Sequence, residues 1–376
     1  MKFLHLIQLN EKNFYNTLKQ MHEIKKDEDK HIFYVCNYKR MTAAFTKFRE
    51  FNNFLYVDEN DSNLTKAFNL FKLMREADHI IIHSLIFNSN KYLYFLFAFK
   101  FLLRKATWIE WGADLYVWKL KETSLKNRIL NYINFSIRKS VKYIGVTFEG
   151  DIATVHKTIR KDIKCFFTPL VFGENRLELI EKVKTEKNDD TINIQIAHNS
   201  YPFNKHIECL DKIKKFNNED IRIFLPFSYG SYSLFEVMGG NSYKEEVNNY
   251  LIRHFDENKI SFLSKFMDLP DYLKYLWNID IAIFASERPI GLANIIYLLY
   301  MNKKVFLPQN SPQYIFFRSK NLNVYPIEKV SELSFDEFIS KDKKRDNKYV
   351  IDRLKNGADI KYWDYLFSYL KEVEKK

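Results

Sequence analysis

Twice along the chain, short apolar runs alternate with helix-length amphipathic segments, and a charged tract separates the two series. Before the tract, strands are predicted at residues 2–9, 31–36, 54–57, 79–83, 107–110 and 142–147, with helices at 63–76, 91–104 and 125–139. After it, strands are predicted at 193–197, 221–226, 260–263, 279–284, 304–307 and 323–325, and helices at 204–216, 243–255, 269–277, 291–302 and 359–373. A strand followed by a helix and then another strand builds parallel pairing, because a parallel connection needs a crossover long enough to return over the sheet. The expected fold class is therefore α/β, with two Rossmann-like, doubly wound domains facing a central cleft. At 376 residues and 46% apolar content there is material for two cores. The tract at 177–190, LELIEKVKTEKNDD, reads as a linker. That divides the chain into residues 1–176, 191–358 and a C-terminal helix at 359–376 that can cross back to the first domain.

Charge is unevenly placed. Residues 1–170 carry 28 Lys and Arg against 17 Asp and Glu, a net of +11, whereas the other 206 carry 31 against 30, a net of +1. A genome-wide lysine bias would raise both halves, so the asymmetry points to an anionic partner for the first, lipid or nucleic acid. Residues 90–108 join an aromatic-rich apolar run to Lys91, Lys100, Arg104 and Lys105, as interfacial helices do, although a core helix with terminal lysines reads the same way. The run from Tyr92 to Leu103 is too short to span a bilayer, and MKFLHLIQLN reads as a buried first strand rather than a signal peptide. Cys36, Cys165 and Cys209 stand far apart and suggest neither a disulfide framework nor a zinc site.

The unusual residue combinations collect in loops after predicted strands. In AHNSYPFNKHIECL, Asn199 and Ser200 offer donors at a strand end, and Asn204 is a good N-cap for a helix opening with Lys205 and His206. Such a helix start suits a diphosphate, and an ordinary capped turn fits equally. In ERPIGLANI, Glu287 and Arg288 precede Gly291 and Leu292, where a glycine lets backbone amides approach a phosphate. In WGADLY, Asp114 follows a strand end and could serve a hydroxyl nucleophile as base. Asp151, at a helix start in FEGD, and His83, ending DHIIIHS, are the rivals, with capping and core packing as their plainer roles. No DxD occurs at a strand end, so metal ligands are not expected, and no cofactor is implied.

The order of these loops, with WGADLY and the N-S-x(3)-N-x-H-I-E core, resembles glycosyltransferase family 56, which contains the 4-acetamido-4,6-dideoxygalactosyl transferase of enterobacterial common antigen synthesis. The likeness covers about residues 75–325. It implies a GT-B fold, an N-terminal acceptor domain, a C-terminal donor domain and metal-independent transfer. The implied substrates are a nucleotide sugar, such as a dTDP-sugar with a deoxy or acetamido group, and a polyprenyl-diphosphate-linked saccharide. The implied place is the cytoplasmic face of the membrane, peripherally bound. It also puts Pro226 and Tyr229 of LPFSYG near the nucleobase, Tyr229 either stacking on it or capping the loop. Many GT-B enzymes carry a Glu three residues before the glycine and another four after; here Arg288 and Ile295 occupy those places. Two other classes fit the same scaffold or charge: a nucleotide-sugar epimerase, which needs no membrane face, and a basic nucleic-acid-binding protein. The second lacks any recognition motif, and its aromatics lie in apolar runs rather than basic loops, so no nucleic-acid partner is expected.

Overall fold

The computed structural model describes residues 1–7, 29–36, 54–56, 62–87, 89–116, 124–169, 175–187, 189–228, 240–340, 347–355 and 359–374. The chain forms two compact units, Met1–Glu174 with Asn356–Lys376, and Asn175–Lys355.

In the first unit seven parallel strands stand in the order β3-β2-β1-β4-β5-β6-β7. They are β1 (Lys2–Ile7), β2 (Lys30–Val35), β3 (Phe54–Tyr56), β4 (His79–His83), β5 (Ala106–Glu110), β6 (Tyr143–Val146) and β7 (Lys164–Phe167). The last was not predicted; KCFF is short and half-exposed at the sheet edge, so its apolar signal is weak. Side chains alternate across the sheet. Leu4, Leu6, Ile80, Ile82 and Trp108 pack on one face; Phe3, Ile7, Phe33 and Ile81 pack on the other. The second face is covered by the C-terminal helix Ile360–Glu374, which buries Trp363, Leu366, Phe367 and Leu370 at helical spacing. Each such side chain contributes about 1.5–3 kcal/mol, and the Trp363 indole also donates to the Pro169 carbonyl (3.0 Å).

The segment 92–104 is the helix Asn90–Ala98 followed by the 3₁₀ turn Lys100–Lys105. Leu93, Leu96, Leu102 and Leu103 are core residues, and the Lys105 ammonium donates to the Arg75 (3.0 Å) and Ala77 carbonyls. The leucine side of the expected interfacial segment is therefore internal packing, while Tyr94 and Phe101 stay exposed. Among the described residues no helix is long and apolar enough to cross a membrane.

The second unit has six parallel strands in the order β10-β9-β8-β11-β12-β13: β8 (Ile192–Ile196), β9 (Ile221–Pro226), β10 (Ile260–Leu263), β11 (Ile281–Ile283), β12 (Lys304–Leu307) and β13 (Val324–Pro326). From β8 the chain winds outward through β9 and β10, then returns to lay β11 on the other side of β8. That reversal leaves a crevice outside the carboxyl ends of β8 and β11. The tract expected as a linker opens with a helix, Arg176–Lys182, capped by the Asn175 side chain. Its Ile180 is buried, with its carbonyl accepting from Trp277 Nε1 (3.1 Å), so it is packed structure of the second unit. Seven charge-rich residues carry too little apolar periodicity to show this in sequence.

Candidate functional site

Two clusters of polar residues lie at strand ends, one in each unit. In the first, β5 ends at Glu110 and the chain turns through Trp111 and Gly112 (φ 78°) into a short helical turn, Ala113–Tyr116. Asp114 is fully buried. Its Oδ1 accepts the Trp111 amide (2.7 Å), and its Oδ2 accepts the Leu85 amide (2.9 Å) and Trp108 Nε1 (2.8 Å). The carboxylate thus fastens the loop after β4 to the turn after β5, while the buried Arg138 guanidinium donates to the Asp114 carbonyl (3.1 Å). With three N–H donors already on it and no exposure, the Asp114 carboxylate is engaged in holding these loops together and does not face solvent as the sequence suggested for a base.

Glu110 carries more than its sequence position announced. Its Oε2 accepts the Gly112 amide (2.6 Å) and its Oε1 the Thr147 amide (2.9 Å), tying together the loops after β5 and β6. Burial, then the Asp151 and Asp114 carboxylates, hold Glu110 well above the usual carboxylate range, although the two amides pull downward. Asp151 opens the helix Asp151–Thr158 and accepts the Tyr116 hydroxyl at 2.5 Å. Burial pushes Asp151 up to about 7, against the Tyr116 hydrogen bond and with help from Asp114. A carboxyl that titrates near neutrality is suited to proton transfer. No signal in the string WIEWGAD marked Glu110 as more than a strand end; only the sheet brings it beside the helix start of Asp151.

His83 belongs to the core. Its Nε2 lies 3.0 Å from His5 Nδ1, His5 Nε2 lies 2.9 Å from His31 Nδ1, and its ring stacks near Trp363. Burial pushes His83 down to about 3, so it is a neutral member of a histidine row beneath the C-terminal helix.

In the second unit a depression with an empty volume of about 850 Å³ lies at the crevice of β8 and β11. His198, after β8, forms one side, with Pro226 at the end of β9 and Ser228 after it. Leu263 ends β10 and Lys265 follows it; Ala293, Asn294 and Tyr297 come from the helix Leu292–Tyr300. Gly291, the N-cap of that helix, has φ 66°, and a Cβ there would stand 2.9 Å from His198 Nδ1. Glycine is needed on both counts, for conformation and for the approach of the imidazole.

Hydrogen-bond direction fixes the histidine. The Asn199 side-chain oxygen accepts the Tyr201 amide (3.1 Å) and Asn204 Nδ2 (2.6 Å), so its own Nδ2 donates to His198 Nε2 (2.9 Å). An accepting Nε2 leaves the proton on Nδ1. Burial, then His206 and Arg288, push His198 down to about 3, so it is a neutral Nδ1–H donor.

The expected diphosphate turn is built differently. Asn204 is no N-cap: it ends a 3₁₀ turn, Pro202–Asn204, and braces Asn199. Lys205 (φ 52°) precedes the helix His206–Ile213, and its ammonium pairs with Glu287 (2.6 Å), linking the loops after β8 and β11. The His206 amide and ring bond to the Tyr243 hydroxyl (3.0 and 3.1 Å), and the ring stacks on Phe227, so that helix start is closed by protein. Ser200 is half-buried beside Asn199. Arg288 lies over the Phe203 ring (4.0 Å), and its Nε has no hydrogen-bond partner among the described residues. Of the residues expected at the donor, Pro226 lines the depression, while Gly291 and Leu292 start the helix that does; Tyr229 lies outside the described residues. Sequence reasoning passed over His198, although it stood inside the singled-out loop directly after the strand, and Lys265, one of many lysines.

The model of glycosyl transferase group 56, described as 4-alpha-L-fucosyltransferase, matches residues 9–346, well over half of the chain. Anabaena HepE in complex with UDP-glucose superposes with a TM-score of 0.62 at 13% identity, over 98% of this chain and 100% of that one. The UDP-forming trehalose-phosphate synthase of Burkholderia xenovorans gives 0.62 at 9% identity, over 100% and 99%. A UDP-N-acetylglucosamine 2-epimerase of Listeria monocytogenes gives 0.50 at 10% identity, over 100% and 97%. At such identities the likenesses show the fold, the two-domain α/β GT-B architecture. Since an epimerase shares it, architecture by itself leaves the reaction open.

Proposed function

The chain belongs to glycosyl transferase group 56 and is a glycosyltransferase; from that premise we propose that its donor is a nucleotide sugar bound in the depression of the second unit. HepE, on the same fold, is in complex with UDP-glucose, which makes a nucleotide sugar the donor class to carry over. In our reading the sugar is a deoxy or acetamido hexose on dTDP, and the acceptor a polyprenyl-diphosphate-linked saccharide in surface polysaccharide synthesis at the cytoplasmic face of the membrane.

The observation that carries the donor assignment is the crevice at β8 and β11, where His198 and the glycine-capped helix Leu292–Tyr300 meet. A helix N-terminus favours the diphosphate, and the His198 Nδ1–H, buried against Gly291 in this structure, donates to it once the glycine turn shifts, without changing charge. Lys265 supplies the cation at the rim and Arg288 lies nearby, so the leaving diphosphate is stabilised by fixed donors and no metal is required.

For the acceptor we assign proton removal to Asp151 acting through Tyr116, with Glu110 and Asp114 as positioning residues. The acceptor oxygen bonds to the anomeric carbon as the bond from that carbon to the diphosphate breaks. Its proton passes to the Tyr116 oxygen while the Tyr116 proton passes to Asp151. Asp151 is about 1% exposed, and the half-buried tyrosine gives it a route outward.

Thermal unfolding with a panel of nucleoside diphosphates in EDTA tests the donor half. A matching one at 100 times its Kd should stabilise the fold by about 2.7 kcal/mol. No stabilisation by any of them, or stabilisation only with added Mg²⁺ or Mn²⁺, would overturn the metal-free site.

A further inference from the structure

We infer that the outward face of the helix Leu125–Ser140, together with the adjoining segment 90–105, is a docking surface for an anionic lipid bilayer. Leu125, Ile129 and Tyr132 recur at helical spacing on one side and are 71%, 49% and 64% exposed. The opposite side, with Leu130, Ile133 and Ile137, is buried, so the helix has two apolar faces, and among the described residues only one is covered. Water-facing helices normally present polar residues outward, and a contiguous exposed apolar face marks an interaction site.

The surface continues onto the neighbouring segment. The Tyr132 and Phe97 rings meet edge to face at 6.0 Å, and the Lys100 ammonium lies 5.5 Å from the Phe97 centroid. Tyr94 and Phe101 of that segment are 44% and 56% exposed.

Charge selects the occupant. Residues 89–109 and 124–148 contain no Asp or Glu. Lys126, Arg128 and Lys139 are exposed on the helix, and Lys91, Lys100 and Arg104 on the segment. Lys139 lies 4.6 Å from the Phe135 centroid, a basic group beside an aromatic body. Aliphatic and aromatic side chains interleaved along these two segments with exposed Lys and Arg fit an anionic headgroup layer.

The inference rests on the membrane placement proposed above and names the surface that carries it; it is tested without any substrate, so its failure leaves the donor site standing. The full chain is sedimented with phosphatidylcholine vesicles and with the same vesicles containing phosphatidylglycerol. Binding is expected to the second only, and to fall as salt rises. The triple variant Leu125→Ser, Ile129→Ser, Tyr132→Ser should bind at least about tenfold more weakly with an unchanged melting temperature. Lys126→Glu with Arg128→Glu, at exposed positions that leave the apolar residues in place, should do the same. Lys329→Glu, on the second unit, should bind as the parent does. The inference is overturned if the parent ignores anionic vesicles, if both surface variants bind like the parent, or if the apolar variant only converts a dimer to a monomer with lipid binding intact.

Discussion

The two strand-end clusters answer opposite electrostatic problems. In the first unit three carboxyl groups, Glu110, Asp114 and Asp151, are crowded into a buried site, and two of them are pushed upward. In the second, a neutral histidine, a helix N-terminus and an exposed lysine surround an open depression. The first arrangement stores an affinity for protons; the second offers hydrogen-bond donors to an anion. Similar doubly wound sheets can thus be fitted for different halves of one transfer, and the difference lies in the residues after the strands.

The largest effect should follow from Asp151→Asn, which removes the proton acceptor but keeps the Tyr116 hydrogen bond. It should lower kcat by about 10²–10⁴ with nucleotide binding unchanged. The parent rate should rise with pH towards a plateau above about 7, as Asp151 ionises. Its folded pKa lies above its unfolded value, so the folded state holds the extra proton. Asp151 therefore favours the fold at low pH, and that contribution is lost as pH rises through about 7. The asparagine variant should then be the more stable of the two above that pH. A variant with parental kcat would return the base to an open question.

Asp114→Asn should act the other way. An amide can accept from Leu85 and Trp108, but its NH₂ then confronts the Trp111 N–H. The cost is about 1–3 kcal/mol in stability, read as a lower melting temperature, with a smaller loss of kcat than Asp151→Asn gives. If turnover falls as far and stability does not, Asp114 is the catalytic carboxylate after all.

The asymmetry of these two aspartates also marks what sequence could reveal. Strands β4, β9, β10 and β12 fell where the apolar runs put them; β4 and β12, buried on both faces, read as continuous apolar stretches. Both loops that matter were visible as strings. Roles within them were not, because they depend on partners far along the chain: Asp114 on Leu85, Glu110 on Thr147, Lys205 on Glu287. His206 looked like a helix-start ligand and is closed off by Tyr243, some 37 residues away. His198, eight residues earlier in the same motif, is the histidine that lines the depression, its buried ring packed where Gly291 makes room for it. Similarly, the basic half was legible from charge, but the division of the segment 92–104 into a leucine side in the core and an exposed side with Tyr94 and Phe101 was not, nor was the apolar face of the helix after it.

The central claim is that donor binding belongs to the second cluster and proton transfer to the first. Calorimetric titration of one stabilising nucleoside diphosphate into Asp151→Asn, His198→Gln and His198→Asn tests it directly. Asn places its NH₂ near the position of the imidazole Nδ1, whereas Gln reaches past it. Asp151→Asn should titrate like the parent. His198→Gln should bind about 10–100-fold more weakly, the loss of a hydrogen bond to a charged group, and His198→Asn should recover much of the affinity. Equal weakening in the Asp151 and His198→Gln variants, or parental affinity in both, would contradict the division of labour between the two units.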